Sequence, residues 1–215
     1  MLKIPLPQLF VFFLLSLSHA LFAQLDVNPG VDRWKIKTSI LPGQPQSMTI
    51  AEMMELENPI TVKEKLHFEK VRIPKTVGHQ FQEGNLITLV GWLHLVALED
   101  DAKKHRDGDY HIQIRATATW GDSCIVVEVP YPEFIADPQL KAQCQQVRAF
   151  VRDTFLAGHE PSIGGKKITH PKKVRITGQL FFDAIHMNGK PRGKQKMHAY
   201  TCWEIHPITA MELAD

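Results

Sequence analysis

Hydrophobic and polar residues alternate along two short stretches that lie far apart in the chain, 107–113 and 200–207. Because the side chains of an extended strand point to opposite faces in turn, Glu204 and His206 share one face, and Trp203 and Ile205 share the other. The earlier stretch separates in the same way Asp109, His111 and Gln113 from Tyr110, Ile112 and Ile114. The pattern predicts two strands of a small β-barrel with a polar, histidine-bearing outer surface.

Five strands are predicted in all. They cover residues 86–99, 109–119, 124–129, 174–182 and 200–206, the last running on towards Met211. Gly91 interrupts the first strand, and we expect a bulge or a sharp bend at this glycine that curves the strand around a barrel. The alternation places one apolar set inside the barrel: Tyr110, Ile112, Ile114, Ile125, Val127, Val129, Val174, Ile176, Trp203 and Ile205.

One helix lies between the third and fourth strands. Asp137 and Pro138 are typical of a helix start, and Gly158 stands just past the predicted end. A single apolar stripe follows the helix at steps of three and four residues: Leu140, Cys144, Val147, Val151 and Phe155. Three strands, a helix and two strands is the order of the OB-fold. The sequence therefore predicts a mainly β protein: an OB-like five-stranded Greek-key barrel over residues 85–215.

The segment before the barrel, residues 24–84, is irregular and punctuated by prolines. One short helix is predicted from Thr49 to Leu56, because Thr49 and Glu52 have the spacing of a capping box. The alternating stretch from Asp32 to Thr38 predicts a short strand. We interpret the whole segment as an N-terminal arm lying across a neighbouring surface.

Residues 1–23 have the three-part layout of a secretory signal peptide. Lys3 precedes an apolar run, and small residues at Ala20 and Ala23 mark two possible cleavage points. The run is too interrupted to predict a membrane anchor. We therefore expect an exported protein, periplasmic or extracellular, with no transmembrane segment in the mature chain.

Charge and cysteine content narrow the functional classes. The chain has 25 Lys and Arg against 23 Asp and Glu, so it is close to neutral. A nucleic-acid partner is possible but not favoured, because such proteins usually show a marked basic excess. Cys124, Cys144 and Cys202 have no zinc-finger spacing. Either one disulfide with a free thiol or three buried thiols is compatible with the sequence.

Four stretches resemble a family of uncharacterised exported bacterial proteins. They are residues 99–114 (beginning EDD and ending GDYHIQI), Val126–Pro130 (VVEVP), Val174–His186 (VRITGQLFFDAIH) and Trp203–Thr209 (WEIHPIT). The resemblance implies an OB-like domain and directs attention to one set of residues: Asp109, His111, Glu128, Asp183, His186, Glu204 and His206. This chain departs from the family pattern by an insertion at 102–106 and by a basic loop at 190–196, where relatives have a short Gln-Gly turn. If that turn helps to build a site, the site here is altered.

The seven residues allow more than one function. Histidines and carboxylates are ligands for zinc and other transition metals, so a divalent metal on His111, His186 and His206 is one hypothesis. A metal-dependent hydrolase, nuclease-like or acting on phosphodiesters, is its enzymatic version. No nucleophile or phosphate-loop motif supports an enzyme. The first hypothesis is therefore a binding domain of unknown ligand, with Trp120 as the exposed aromatic of its ligand face.

Overall fold

The computed structural model describes residues 33–74, 78, 80–99, 107–187 and 189–215. The predicted signal peptide and the insertion at 102–106 lie outside these ranges. The elements before the barrel are α1 (Trp34–Lys37), β1 (Gln46–Ser47), α2 (Ile50–Glu55) and a 3₁₀ helix (Val62–Phe68). The barrel region contains β2 (Leu86–Leu98), β3 (Tyr110–Arg115), β4 (Ile125–Val129), α3 (Pro138–Phe155), β5 (Lys166–Phe182) and β6 (Trp203–Leu213), with 3₁₀ helices at Pro132–Phe134 and Ala184–His186.

Five strands close into a barrel in the order β2-β3-β4-β6-β5, and β5 pairs back to β2. The pairs β2–β3, β3–β4, β5–β6 and β2–β5 are antiparallel, whereas β4 and β6 run parallel. The helix α3 lies in sequence between β4 and β5. This strand order and helix position confirm the predicted OB-like Greek-key barrel. The short strand β1 adds to the outside of β2 in parallel orientation.

The barrel interior is apolar, as the alternation predicts. All ten residues assigned to the inside belong to one buried cluster. The five stripe residues of α3 are buried in the same cluster. The helix begins as expected, because the Asp137 side chain accepts a hydrogen bond from the Leu140 amide at 2.7 Å. Burying each large apolar side chain contributes roughly 1.5–3 kcal/mol.

The expectation of a bulge at Gly91 is wrong. The register between β2 and its neighbours shifts between Leu93 and Leu95 instead. Gly91 serves a close approach: a Cβ atom there would lie 2.5 Å from Ile114 Cγ2 and 2.6 Å from Ile50 Cδ1. The glycine therefore lets the arm and β3 pack against β2.

The strand β5 begins at Lys166, well before the predicted start at Val174. Beyond the shift in β2, Lys167 pairs with Leu95 and Lys166 pairs with Val96. This first half is largely exposed, so it lacks the apolar residues on which the prediction depended. Backbone pairing with β2 keeps it extended.

The arm is more structured than its sequence indicates. Its helix α2 is confirmed, including the capping box in which Thr49 and Glu52 exchange hydrogen bonds. The predicted strand at 32–38 is wrong, because α1 occupies Trp34–Lys37. Arg33 holds this helix in place: its guanidinium donates two 2.8 Å hydrogen bonds to the Glu83 carboxylate and one to the Phe182 carbonyl.

Apolar residues of the arm join the barrel core itself: Met48, Ile50, Met53, Ile60, Ile73 and Phe81. The indole nitrogen of Trp203 on β6 also donates to the carbonyl of Glu57 at 2.9 Å. Arm and barrel are therefore packed around one continuous core. Within the described ranges, no helix has the length and apolar character that crossing a membrane requires.

Candidate functional site

The barrel brings five of the seven predicted residues together on one outward sheet face. Asp109 directly precedes β3, His111 lies on β3, Glu128 lies on β4, and Glu204 and His206 lie on β6. The strand register explains the convergence. His111 pairs with Glu128, and Val126, which lies two residues before Glu128 on the same face of β4, pairs with Glu204. Paired residues of a sheet point to the same side. Residues almost a hundred positions apart in sequence therefore meet.

This polar face is buried, and the expectation of an exposed outer surface is wrong. Asp109, His111, Glu128, Glu204 and His206 are each at most 5% exposed. Two segments cover them: α1, whose Lys37 ammonium lies 3.7 Å from Glu128 Oε2, and the β5–β6 loop, which carries Arg192 and Lys194. Alternation predicted the direction of these side chains correctly. It carries no information about segments that pack over the sheet.

His206 lies at the centre of the cluster. Its Nδ1 is 3.1 Å from Glu128 Oε2 and 3.5 Å from Glu204 Oε2, and its Nε2 is 3.4 Å from Asp109 Oδ2. Neither ring nitrogen has a partner in hydrogen-bonding geometry, and Glu204 Oε2 has none either. The imidazole is fully buried. Three carboxylates thus surround a histidine without completing its hydrogen bonds.

Both ring nitrogens of His111 have hydrogen-bond partners. Its Nδ1 lies 3.0 Å from Glu99 Oε1 and 3.1 Å from Glu128 Oε1, and its Nε2 lies 3.2 Å from Gln113 Oε1. The Gln113 oxygen also accepts a 2.6 Å hydrogen bond from the backbone amide of Lys194. The Lys194 ammonium lies 3.2 Å from Glu99 Oε2. The β5–β6 loop is therefore tied to β3 through this second group.

Asp183 and His186 form the edge of the cluster. The Asp183 carboxylate pairs with His186 and accepts a 2.9 Å hydrogen bond from Arg192 Nη1. The same Arg192 nitrogen bonds to Glu204, so one guanidinium joins the edge to the buried centre. The His186 side chain itself is 47% exposed. Arg192 belongs to the basic loop at 190–196 that departs from the family pattern, and this loop completes the cluster.

Sequence reasoning missed four members of the cluster: Lys37, Glu99, Arg192 and Lys194. Lys37 lies in the stretch mistaken for a strand, and Arg192 and Lys194 lie in a loop interpreted only as basic. The predicted residues contain four carboxylates and no Lys or Arg, and buried charges need countercharges. This was the signal in the sequence that cations should join the cluster. It could not show which of the chain's cations supply those countercharges.

Burial and mutual interaction shift the pKa values across the cluster. Burial, followed by the nearby Asp107 carboxylate, raises the pKa of Asp109 to about 8. Burial opposes protonation of His206, but the Glu128 and Glu204 carboxylates outweigh it and raise its pKa to about 9. Glu128 and Glu99 act in the same way on His111, whose pKa is also raised to about 9 against the effect of burial. The cluster therefore retains protons at neutral pH to balance its negative charge.

Cations within the cluster show the same balance. Burial opposes the charged form of Lys37, yet Glu128, Glu204, Asp109 and Asp183 together raise its pKa well above the ordinary value. The Glu128 pKa is lowered in return, against burial, chiefly by Lys37 and His111. The site is an interior network of charges rather than a solvated patch.

Two sets of donor atoms have spacing that suits a metal ion. They are Glu99, His111 and Glu128, and Asp109, Glu128 and His206, in each of which one donor atom per residue lies within 4.8 Å of the others. Among the described residues, neither set contains His186. The predicted trio of His111, His186 and His206 remains a prediction, and the structure places His111 and His206 against a shared carboxylate, Glu128.

A second feature lies on the outer face of β2 and β5. Trp120 is 39% exposed, as expected, and the Lys167 ammonium lies 4.2 Å from its ring centroid. Trp92 on β2 is partly buried and pairs with Lys173 on β5 and Arg115 on β3, so a cation flanks it on each side. Residues 166–175 contain five cations and no acid. Trp92, Lys172 and Lys173 line an open groove that reaches the C-terminal residue.

The three cysteines are free thiols. Cys124 and Cys144 are buried, and burial raises the pKa of each to about 12. Cys202 is partly buried. The arrangement with three thiols is the one observed, and a thiol with a raised pKa is a poor nucleophile.

Comparison with known proteins identifies no family. No family model and no curated protein matches the chain. Among solved structures, asparaginyl-tRNA synthetase from Entamoeba histolytica matches with 14% identity and a TM-score of 0.31. The match covers 63% of this chain and 22% of the synthetase. A likeness this weak carries no functional argument.

Proposed function

We propose that this protein is an exported, non-catalytic binding domain for an anionic chain, which it holds along the outer face of β2 and β5. The observation that carries the proposal is the exposed Trp120 ring with the Lys167 ammonium 4.2 Å from its centroid. It lies on a surface where Trp92 pairs with Lys173 and Arg115. Flat aromatic faces beside cations suit a polymer that presents both rings and negative charges. We call this surface the basic aromatic face.

The face that usually binds ligands in OB barrels is covered by other segments of this protein, and this supports the choice of a different surface. OB barrels commonly bind oligonucleotides and oligosaccharides on their second and third strands and adjacent loops. Here those strands are β3 and β4, and α1 and the β5–β6 loop cover their outward side chains. A ligand would have to displace Lys37 and Lys194 to reach them. Trp120 and Lys167 on the basic aromatic face are exposed, so a ligand reaches them without such a displacement.

The hydrolase hypothesis gains one observation, the two donor sets of the buried cluster. A substrate would reach those donors only after the covering segments moved, because every residue of the Asp109, Glu128 and His206 set is at most 5% exposed. We therefore assign no reaction to the cluster. The decisive variant for a general base is Glu204→Gln, which should abolish turnover of any defined activity if Glu204 has that role.

The binding proposal can be tested with two probes, a fluorescently labelled single-stranded oligonucleotide and a labelled sulfated polysaccharide. We expect anisotropy titrations to show binding that weakens as salt concentration rises. Lys166→Ala/Lys167→Ala should weaken binding by about fivefold or more. Trp120→Ala should weaken it further if rings of the ligand stack there. Whichever probe binds more tightly defines the ligand class.

A matched control removes the same charge elsewhere. Lys63 and Lys70 are exposed on the arm, and Lys63→Ala/Lys70→Ala should leave binding within about twofold of wild type if the face is specific. Equal losses in both double variants would reduce the result to overall charge and contradict the proposal. Failure of both probes to bind would also overturn it.

Export is part of the proposal and has its own test. N-terminal sequencing of the protein recovered from its native host should show a mature chain starting at Leu21 or Gln24. An intact Met1 in an exported fraction would contradict cleavage.

A further inference from the structure

We propose that Asp109, Glu128 and His206 form a binding site for a divalent transition metal, and that Lys37 is the ammonium group with which the metal competes. This inference concerns the covered face of the barrel and is independent of the basic aromatic face. Its success or failure therefore leaves the binding proposal untouched.

Geometry supplies the first argument. One donor atom from each of the three residues lies within 4.8 Å of the others, so the three are close enough together to hold one ion. The three residues come from different elements, the start of β3, β4 and β6, so the barrel fixes their relative positions. Sites on rigid strands hold ligands more reproducibly than sites on loops.

The unsatisfied groups supply the second, independent argument. His206 is 0% exposed, and both of its ring nitrogens lack a hydrogen-bond partner. Glu204 Oε2, buried and 3.5 Å from His206 Nδ1, also lacks one. Buried polar groups nearly always have a hydrogen-bond partner. Three buried polar atoms without one in a single cluster therefore point to a ligand that would bind them. A metal ion would bind one ring nitrogen of His206, and Glu204 Oε2 would be a further oxygen donor close to it.

Donor chemistry supplies the third argument. The three side chains offer two carboxylates and one imidazole, and a further carboxylate oxygen, Glu204 Oε2, lies 3.5 Å from the imidazole nitrogen Nδ1. Two carboxylates with one imidazole suit zinc, manganese or iron(II) rather than calcium or magnesium, which prefer oxygen alone.

Lys37 gives the proposal its sharpest consequence. Its ammonium lies 3.7 Å from Glu128 Oε2, one of the proposed ligand groups, and comes from α1 rather than from the barrel. A metal ion at this site and the Lys37 ammonium would repel each other, and both would interact with the Glu128 carboxylate. Removing the ammonium should therefore strengthen metal binding, whereas removing the imidazole should weaken it. A merely structural hydrogen-bond network predicts no such opposition.

The experiment uses tag-free full-length protein dialysed against a chelator and then titrated. Zn²⁺ binding is measured by calorimetry, and Co²⁺ binding by the visible absorption that a bound cobalt ion acquires. We expect about one ion per chain for wild type. His206→Gln should lose this ion, and Lys37→Met should bind it about tenfold more tightly or better.

Two histidine variants serve as controls. His186→Gln should bind normally, because His186 belongs to neither donor set. His111→Gln should also retain the ion, because it removes a ligand only from the other set. If His206→Gln fails to fold by circular dichroism, Asp109→Asn replaces it as the loss variant. Loss of the ion in His111→Gln but not in His206→Gln would overturn the assignment.

The remaining outcomes are equally decisive. No Zn²⁺ or Co²⁺ bound to either wild type or Lys37→Met would overturn the proposal. Weaker rather than tighter binding in a folded Lys37→Met would overturn the competition between metal and ammonium. Opposite changes in Lys37→Met and His206→Gln, with His186→Gln unchanged, would establish the site.

Discussion

Buried ionisable side chains distinguish this barrel at the scale of single residues. Arg192 illustrates how they are held: its guanidinium bonds to Asp183 and Glu204 and reaches the carbonyl of Thr201 at 3.3 Å. Burial would raise the pKa of Asp183, but His186 and Arg192 outweigh it and hold that pKa below its usual range. Asp183 is ionised because His186 and Arg192 face it, whereas Asp109, beside the Asp107 carboxylate, has a raised pKa.

Arg192→Met should destabilise the protein by about 3–5 kcal/mol at neutral pH, because it leaves two buried carboxylates without their partner. Asp183 has a lowered pKa in the folded state, so its stabilising effect is present above the ordinary carboxyl pKa and is lost as pH falls below it. The deficit of Arg192→Met should therefore shrink below about pH 4. Urea unfolding at several pH values measures it.

Lys194→Met is the matched control in the same loop. Its partner Glu99 is partly exposed, so the loss should be about 1 kcal/mol or less. Equal losses from the two variants, or an Arg192→Met deficit that does not change with pH, would contradict this account of the cluster.

Close backbone approach shapes the strands at the scale of elements. The register between β5 and β6 shifts on both sides of Gly178. A Cβ atom at Gly178 would lie 2.4 Å from Ile205 Cγ2 and 2.5 Å from the Pro207 carbonyl oxygen. The glycine allows the two strands to meet where the barrel curves.

Gly178→Ala should therefore destabilise the barrel by about 1–3 kcal/mol, the usual cost of overpacking. Gly164→Ala is the control, since nothing lies within 4 Å of the position of its Cβ. This change should leave stability unchanged or raise it slightly. Thermal and urea unfolding of both variants check the difference, and a wild-type midpoint for Gly178→Ala would refute it.

Arm and barrel share one core at the scale of the whole molecule. The arm contributes Met53 to the buried cluster that also contains Ile87 of β2. Arg33 ties α1 to the end of β5 through the Phe182 carbonyl. The arm also supplies Lys37 to the covered face. Residue 85 separates an irregular sequence pattern from a regular one, but the residues on its two sides pack into the same core.

A fragment of residues 85–215 should consequently be much less stable than one of residues 33–215. It would expose apolar surface that Met48, Ile50, Met53 and Phe81 cover, and each such burial contributes roughly 1.5–3 kcal/mol. Comparison of urea midpoints and m-values for the two fragments tests this. Identical midpoints would show that the barrel is an independent domain and that the arm only lies against it.

Prediction from sequence succeeded where the signal is local. Alternation identified the inward residues of β3, β4 and β6, the period of α3 identified its buried stripe, and capping chemistry located α2 and α3. It failed at α1, where a buried ion pair at Arg33 overrides an alternating pattern. It failed also at the first half of β5, where pairing with β2 extends residues that have no apolar period.

The sequence by itself determined the order of strands and helix, the direction in which each strand side chain points, and hence the OB-like barrel with Asp109, His111, Glu128, Glu204 and His206 on one outward face. Only the tertiary structure decided that this face is buried and that Lys37, Arg192 and Lys194 enter it. The reason is physical. Side-chain direction follows from backbone geometry within a strand, whereas burial and countercharge depend on distant segments whose packing no local pattern encodes.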